Sequence, residues 1–132
     1  MALPAPLPVL PIRIVIVDAD DRVRESLRGI LVGTNHVDVL GTAADPGAGL
    51  ALIVATRPDA LLLDPRLPDL AAGVAFMDAV RAESPAICIL AMSWSDPMEH
   101  AALAAGADGF VRKTYRSSEL LTALLAASAT CA

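Results

Sequence analysis

Two carboxylates and one ammonium group stand at matching places in this 132-residue chain. Asp18 ends the β-branched run from Ile12 to Val17, Asp64 ends the apolar run from Ala60 to Leu63, and Lys113 closes the short stretch from Asp108 through Val111 and Arg112. Lys113 is the only lysine among ten basic residues. Polar residues end many strands for no further reason. If these three runs share one parallel sheet, however, their side chains converge on its carboxyl edge, where open α/β sheets place their chemistry. Two acids and an ammonium around a small cleft suit phosphoryl chemistry. One carboxylate serves as nucleophile, the other holds Mg²⁺ against the phosphoryl oxygens, and the ammonium neutralises the charge left over. The sequence has no Gly-rich phosphate loop, which argues against a bound nucleotide.

The elements that must position these groups follow from the pattern. Four consecutive apolar residues before Asp64 suit a strand covered on both faces. Strands are predicted at 12–17, 37–41, 59–63, 86–92 and 108–111, the second more polar and so placed at the sheet edge. Helices are predicted between them. The first covers 21–32, with Asp20 as N-cap and Gly33 as its stop. Asp45 and Pro46 open a second that ends near residue 56, before Pro58. A third, 72–82, buries Val74, Met77 and Val80. Asp96, Pro97 and Glu99 give the clearest capping signal in the chain and open a fourth, 97–105, stopped by Gly106. Ser117 or Ser118 caps the last, whose apolar residues are Leu120, Leu121, Leu124 and Leu125. Repeated βα units with short connections give an α/β fold, a five-stranded doubly wound parallel sheet.

Length and composition bound the rest. A chain of this size is one domain. With 55% hydrophobic but only 3% aromatic residues, its core must be aliphatic. A net charge of -5 argues against direct binding of nucleic acid. No stretch approaches the roughly 20 apolar residues of a membrane span. Cys88 and Cys131 fit neither a CxxC motif nor a disulfide framework. Cys88 reads as a buried small hydrophobe and Cys131 as a free thiol, which implies a reducing, cytoplasmic setting. Residues 1–11 carry four prolines and no basic segment, and read as a flexible leader before a domain at 12–128, with 129–132 as a tail. His36 and His100 lack partners at ligand spacing and read as surface residues.

The segments VIVDADDRVRESL, LLLDPRLP, ILAMSWSD and GADGFVRK, in this order and at these separations, resemble the receiver domain of two-component response regulators. The resemblance runs from about Ile12 to Ala127 and is closest to receivers that precede helix-turn-helix output domains. It implies the (βα)5 flavodoxin-like fold and phosphorelay signalling without enzymatic turnover beyond auto-dephosphorylation. It also implies a sensor histidine kinase as partner and Mg²⁺ as cofactor. By position it makes Asp64 the phosphoacceptor, Asp18 the first acid of an acidic pair and Lys113 the family's lysine. The backbone carbonyl of Arg66 becomes a metal ligand and Phe110 the aromatic switch. Pro68 matches the proline after the phosphoacceptor turn, and the loop before Gly73 is one residue longer than usual.

Two positions depart from that pattern. Ala19 occupies the second acidic position, and a methyl group cannot ligate a hard cation that demands oxygen donors. Ala91 occupies the Thr/Ser position, so the hydroxyl that would couple a phosphoryl group to Phe110 is missing. Asp20, next in line, is either a replacement acid or simply the N-cap of the first helix. The expectation is an atypical receiver with weak or absent Mg²⁺ binding and slow phosphorylation, acting through protein contacts. A weak homodimer is expected through helix four, strand five and helix five, where Met98, His100, Arg112, Tyr115, Arg116 and Glu119 are candidates. Trp94 is either a partner anchor or packing over the cleft beside Ala91.

Two other readings stay open. VIVDADD also fits the first motif of haloacid dehalogenase-like phosphatases, with Asp18 as nucleophile, Asp20 as acid/base, and Ser93 and Lys113 imitating later motifs. Against this reading, Arg22 replaces the usual Thr or Val, a downstream acidic pair is lacking, and the chain is short. The other is a plain flavodoxin-like ligand-binding module.

Overall fold

Five aliphatic runs pair into a single parallel sheet: Ile12–Val17 (β1), Val37–Ala43 (β2), Ala60–Leu63 (β3), Cys88–Ser93 (β4) and Gly109–Arg112 (β5). The strand order is β2-β1-β3-β4-β5, so the chain reverses direction across the sheet between β1 and β3. The computed structural model describes residues 10–94, 97–114 and 116–131. Five helices connect and follow the strands: Asp21–Val32 (α1), Pro46–Thr56 (α2), Leu70–Glu83 (α3), Pro97–Ala104 (α4) and Ser117–Ala129 (α5). Among the described residues no helix is long and apolar enough to cross a membrane.

Period-two alternation sends each strand's side chains to opposite faces. Ile14, Ile16, Leu62, Leu90 and Val111 meet Val23, Leu27 and Leu31 of α1 and Leu120 and Leu124 of α5. Val15, Val17, Leu61, Leu63 and Ile89 meet Ile53 of α2, Phe76, Met77 and Val80 of α3, and Ala102 of α4. With helices on both faces, all four residues of β3 are buried, which explains its unbroken apolar run.

Helix starts follow the caps with two exceptions. Asp20 accepts from the backbone N–H groups of Arg22 and Val23, and Asp45 from that of Ala48 at 2.8 Å. At α3 the helix begins at Leu70 rather than at 72, because Asp69 accepts from Ala72 N at 2.8 Å and opens it earlier. At α5 the expected serine cap is not used. Arg116 takes the extended N-cap position without a side-chain cap bond, and Ser117 is already the first helical residue. The expected Asp96 cap, and residues 1–9 of the leader, lie outside the described residues.

Several expected boundaries and burials change. β2 runs on to Ala43 at the sheet edge, with a register shift against β1 between Ile14 and Val15. β4 starts at Cys88 rather than at 86. On α3, Val74 is only half-buried, and Phe76 fills the core position instead. Cys131 is not free: it forms a disulfide with Cys88, 43 residues away, where the end of α5 passes the start of β4. That pairing removes the cysteine-based argument for a reducing setting. His36 and His100 are both exposed, as expected.

One close approach fixes the loop after Asp64. A Cβ on Gly73, in the first turn of α3, would lie 1.7 Å from the carbonyl oxygen of Pro65. Backbone therefore packs on backbone at this point. Gly73→Ala should destabilise the fold by about 3 kcal/mol in urea unfolding. Gly29 of α1 has nothing within 4 Å of its added Cβ. There the same change should stabilise by about 0.5–1 kcal/mol through helix propensity.

Candidate functional site

β1 and β3 are neighbours, with Val17 opposite Leu63, so Asp18 and Asp64 leave the sheet side by side. The ladder continues one step beyond each strand and holds their backbones: Asp18 N donates to Ala43 O at 3.1 Å and Asp64 N to Val17 O at 3.1 Å. Lys113 N likewise donates to Ser93 O at 2.9 Å. Asp18 continues the alternation of Ile14 and Ile16, Asp64 that of Ala60 and Leu62, and Lys113 that of Val111. All three start from the same side of the sheet. Lys113 lies two strands from Asp64, about 10 Å at ordinary strand spacing, a distance that only a long side chain spans.

The three groups meet. Lys113 Nζ is 2.6 Å from Asp18 Oδ2 and 2.7 Å from Asp64 Oδ2. Asp18 is 3% exposed and Lys113 6%, while Asp64 is half-buried. The contact with Asp64 is a hydrogen bond. The contact with Asp18 is ionic, because Asp18 Oδ2 takes no hydrogen bond of acceptable geometry. The other carboxylate oxygens accept from the chain just beyond: Asp20 N donates to Asp18 Oδ1 and Arg66 N to Asp64 Oδ1, each at 2.9 Å. Arg24 Nη1 donates to the Asp18 carbonyl at 2.6 Å, tying α1 to the end of β1.

Burial alone would lower the pKa of Lys113. The two carboxylates beside it, Asp18 and Asp64, outweigh that and hold it above the usual lysine value of 10.5. Its ammonium form is therefore secure at neutral pH.

The remaining candidates are arranged around this triad. Ala19 and Asp20 are exposed. The Asp20 carboxylate faces its own helix, 2.9 Å from Arg22 N and 3.4 Å from Val23 N. Arg66 is exposed beside Asp64. Ala91 is fully buried and pairs with Phe110, which is half-buried against the α2–α4 side of the core. Trp94 is 46% exposed, and Lys113 Nζ lies 5.8 Å from its ring centroid, so the indole stands over the triad as a cation–π partner.

Residues 14–125 match the family model of the response regulator receiver domain. The chain belongs to that family. This receiver domain is 36% identical over 119 residues to "Response regulator MprA" of Mycolicibacterium vanbaalenii, covering 89% of the chain and 50% of the relative. It is 32% identical over 115 residues to "DNA-binding transcriptional activator DevR/DosR" of Mycobacterium tuberculosis, covering 86% and 52%. The receiver thus spans about half the length of these curated relatives.

Solved structures agree on the fold. The signal receiver domain of NarL from Mycobacterium tuberculosis has a TM-score of 0.74 at 35% identity, with 90% of this chain and 97% of that one covered. A LuxR-family response regulator from Aurantimonas sp. SI85-9A1 has a TM-score of 0.77 at 30% identity, covering 90% and 86%. Nothing in these comparisons supports the haloacid dehalogenase-like reading.

Sequence reasoning missed Asp69, Gly73 and the partner of Cys131. The first two follow a Pro-rich turn that obscures the helix start, and no local signal marks the third. Replacing Lys113 by Met leaves two carboxylates facing each other without a cation and should cost about 3–5 kcal/mol near neutral pH. Because the folded pKa of Lys113 is raised, its contribution is fully present below 10.5 and is lost as pH rises through the folded value. The urea midpoint of the native receiver should therefore fall in that alkaline range, and Lys113→Met should lack this component.

Proposed function

We propose that Asp64 is the phosphoacceptor of this receiver, that Asp18 and Lys113 are its electrostatic partners, and that its dependence on Mg²⁺ is weakened. The observation that carries the reading is Lys113 Nζ within 2.7 Å of both carboxylates. In the reaction, an Asp64 carboxylate oxygen attacks the phosphorus of the donor. The bond from phosphorus to the donor breaks, its electron pair leaves with the donor, and Asp64 becomes an acyl phosphate. Lys113 then has a phosphoryl oxygen to pair with in place of the carboxylate oxygen it holds at rest.

The donor set for a divalent ion is partial. Asp18, Asp64 and the Arg66 carbonyl can supply oxygen, but Ala19 cannot, and the Asp20 carboxylate is spent on capping α1. Two carboxylates and one ammonium leave a single net negative charge, less than a hard dication is best held by. Mg²⁺ bound there would neutralise phosphoryl charge. With Ala91 in place of a hydroxyl, coupling to Phe110 rests on packing alone.

A sensor histidine kinase as donor and a cytoplasmic location are the family's usual setting and fit a chain read as a phosphorelay receiver. The acidic surface supports protein contacts rather than direct nucleic-acid binding by this domain. On the α4, β5 and α5 face His100, Arg112, Arg116 and Glu119 are exposed and support weak self-association, whereas Met98 is buried and Tyr115 lies outside the described residues.

Incubation with acetyl phosphate and Mg²⁺, followed by intact mass, should give slow labelling that Asp64→Asn abolishes. Rapid stoichiometric labelling at low millimolar Mg²⁺ would overturn the weakened-metal reading. Titration of Mg²⁺ against Trp94 fluorescence should show binding at least roughly tenfold tighter in Ala19→Asp. No labelling of Asp64 even in that variant would remove its phosphoacceptor role. In light scattering the mass should rise with concentration through the micromolar range; a constant monomer mass removes the dimer.

A further inference from the structure

The disulfide lies at the amino edge of the sheet, opposite the triad. Cys88 opens β4 and is 5% exposed. Cys131 follows α5 and is exposed, with its Cα 5.7 Å from that of Cys88. A cavity of about 610 Å³ opens beside them, lined by both cysteines, Leu10, Ile12, Leu125 and Ser128. We propose that Cys88 and Cys131 form a reversible thiol–disulfide exchange site, and that its dithiol form releases the last turn of α5 from the sheet.

Three observations carry this. First, α5 is anchored by Leu120 and Leu124, both fully buried, while Leu125, Ala127 and Ser128 are only half-buried and Ala126, Ala129 and Thr130 are exposed. Past Leu124 the apolar grip is slight, and the covalent bond is the strong attachment. Second, the bond can be reached. Cys131 is at the surface beside an open cavity, so an incoming thiolate has a path to its sulfur. Third, the fold does not need the bond at Cys88, whose reduced side chain remains a small hydrophobe in the cluster of Ala60, Leu62 and Leu90.

Asp108 brings a carboxylate within 4.8 Å of both sulfurs, which raises a metal site as an alternative. Asp108 Oδ2, however, already accepts from Arg81 Nη2 and from Ile89 N, each at 2.8 Å. That oxygen is committed to holding β4 and α3 together and the two sulfurs are bonded to each other, which favours a redox pair over a metal centre.

The exchange partner is a dithiol. Its thiolate attacks Cys131 Sγ, the S–S bond breaks, and the electron pair leaves on Cys88 Sγ, which takes up a proton. The partner's second thiol then attacks the mixed disulfide and releases Cys131, which is protonated in turn. The protein gains two electrons and two protons, and the dithiol becomes its own disulfide. In the cytoplasmic setting proposed above, disulfides are usually transient and redox-sensing rather than structural.

Dithiothreitol serves as the probe dithiol. Protein purified without reductant should show no free thiols with Ellman's reagent in denaturant, and two after reduction. By hydrogen exchange, amides of 125–131 should exchange at least roughly tenfold faster once reduced, while those of β1 and β3 do not change. Cys131→Ser should show the fast pattern with or without dithiothreitol, and oxidised glutathione should restore the slow pattern in the reduced native chain. Two free thiols in the unreduced protein, unchanged exchange at 125–131, acceleration throughout the sheet, or failure to reoxidise would each overturn the proposal.

Discussion

The constraint on which the rest of this receiver depends is one ammonium group held between two carboxylates at the sheet edge. Burying a lysine is expensive unless its charge is matched and its donors are used. Lys113 meets that condition only because Asp18 and Asp64, 46 residues apart in the chain, are brought to the same level. Register does this. Val17 faces Leu63, Leu63 faces Ala91 and Ala91 faces Phe110 in one continuous row. Since successive residues of a strand point to opposite faces, a one-residue slip in β1 or β3 would turn its acid away from the lysine. The aliphatic core on both faces fixes that register, so the charged site and the apolar core specify each other.

Much of this was legible in the sequence for a physical reason. An apolar run that ends in a charged residue marks both a buried strand and its exit point. Three such runs, at Asp18, Asp64 and Lys113, gave the sheet and the candidate site together. Asp45 with Pro46 announced α2 because an extended carboxylate cap and a fixed φ both favour a helix start. Asp20 was open to two readings, and its carboxylate turns to the first turn of α1.

What could not be read depends on contacts between segments distant in sequence. An apolar context makes Cys88 look like any small core residue, and only the folded path brings the end of α5 to it. Ser117 and Ser118 looked like caps because of their residue type, but the last extended residue before α5 is Arg116. Trp94 follows β4 in any reading; that its ring stands over Lys113 depends on the sheet order, which places β5 beside β4.

The bare approach of Gly73 to Pro65 has a mechanical meaning. Side chains between two elements act as cushions, since rotamers absorb small displacements. Here no cushion exists: the peptide that follows Asp64 rests directly on the opening turn of α3. Any reshaping of that peptide, by added charge on its neighbour or by a docked protein, pushes on a backbone fourteen residues long. A helix pushed at one end moves as a stiff rod, so a displacement of that peptide would be carried along α3 to its far end, near Arg81 and Glu83.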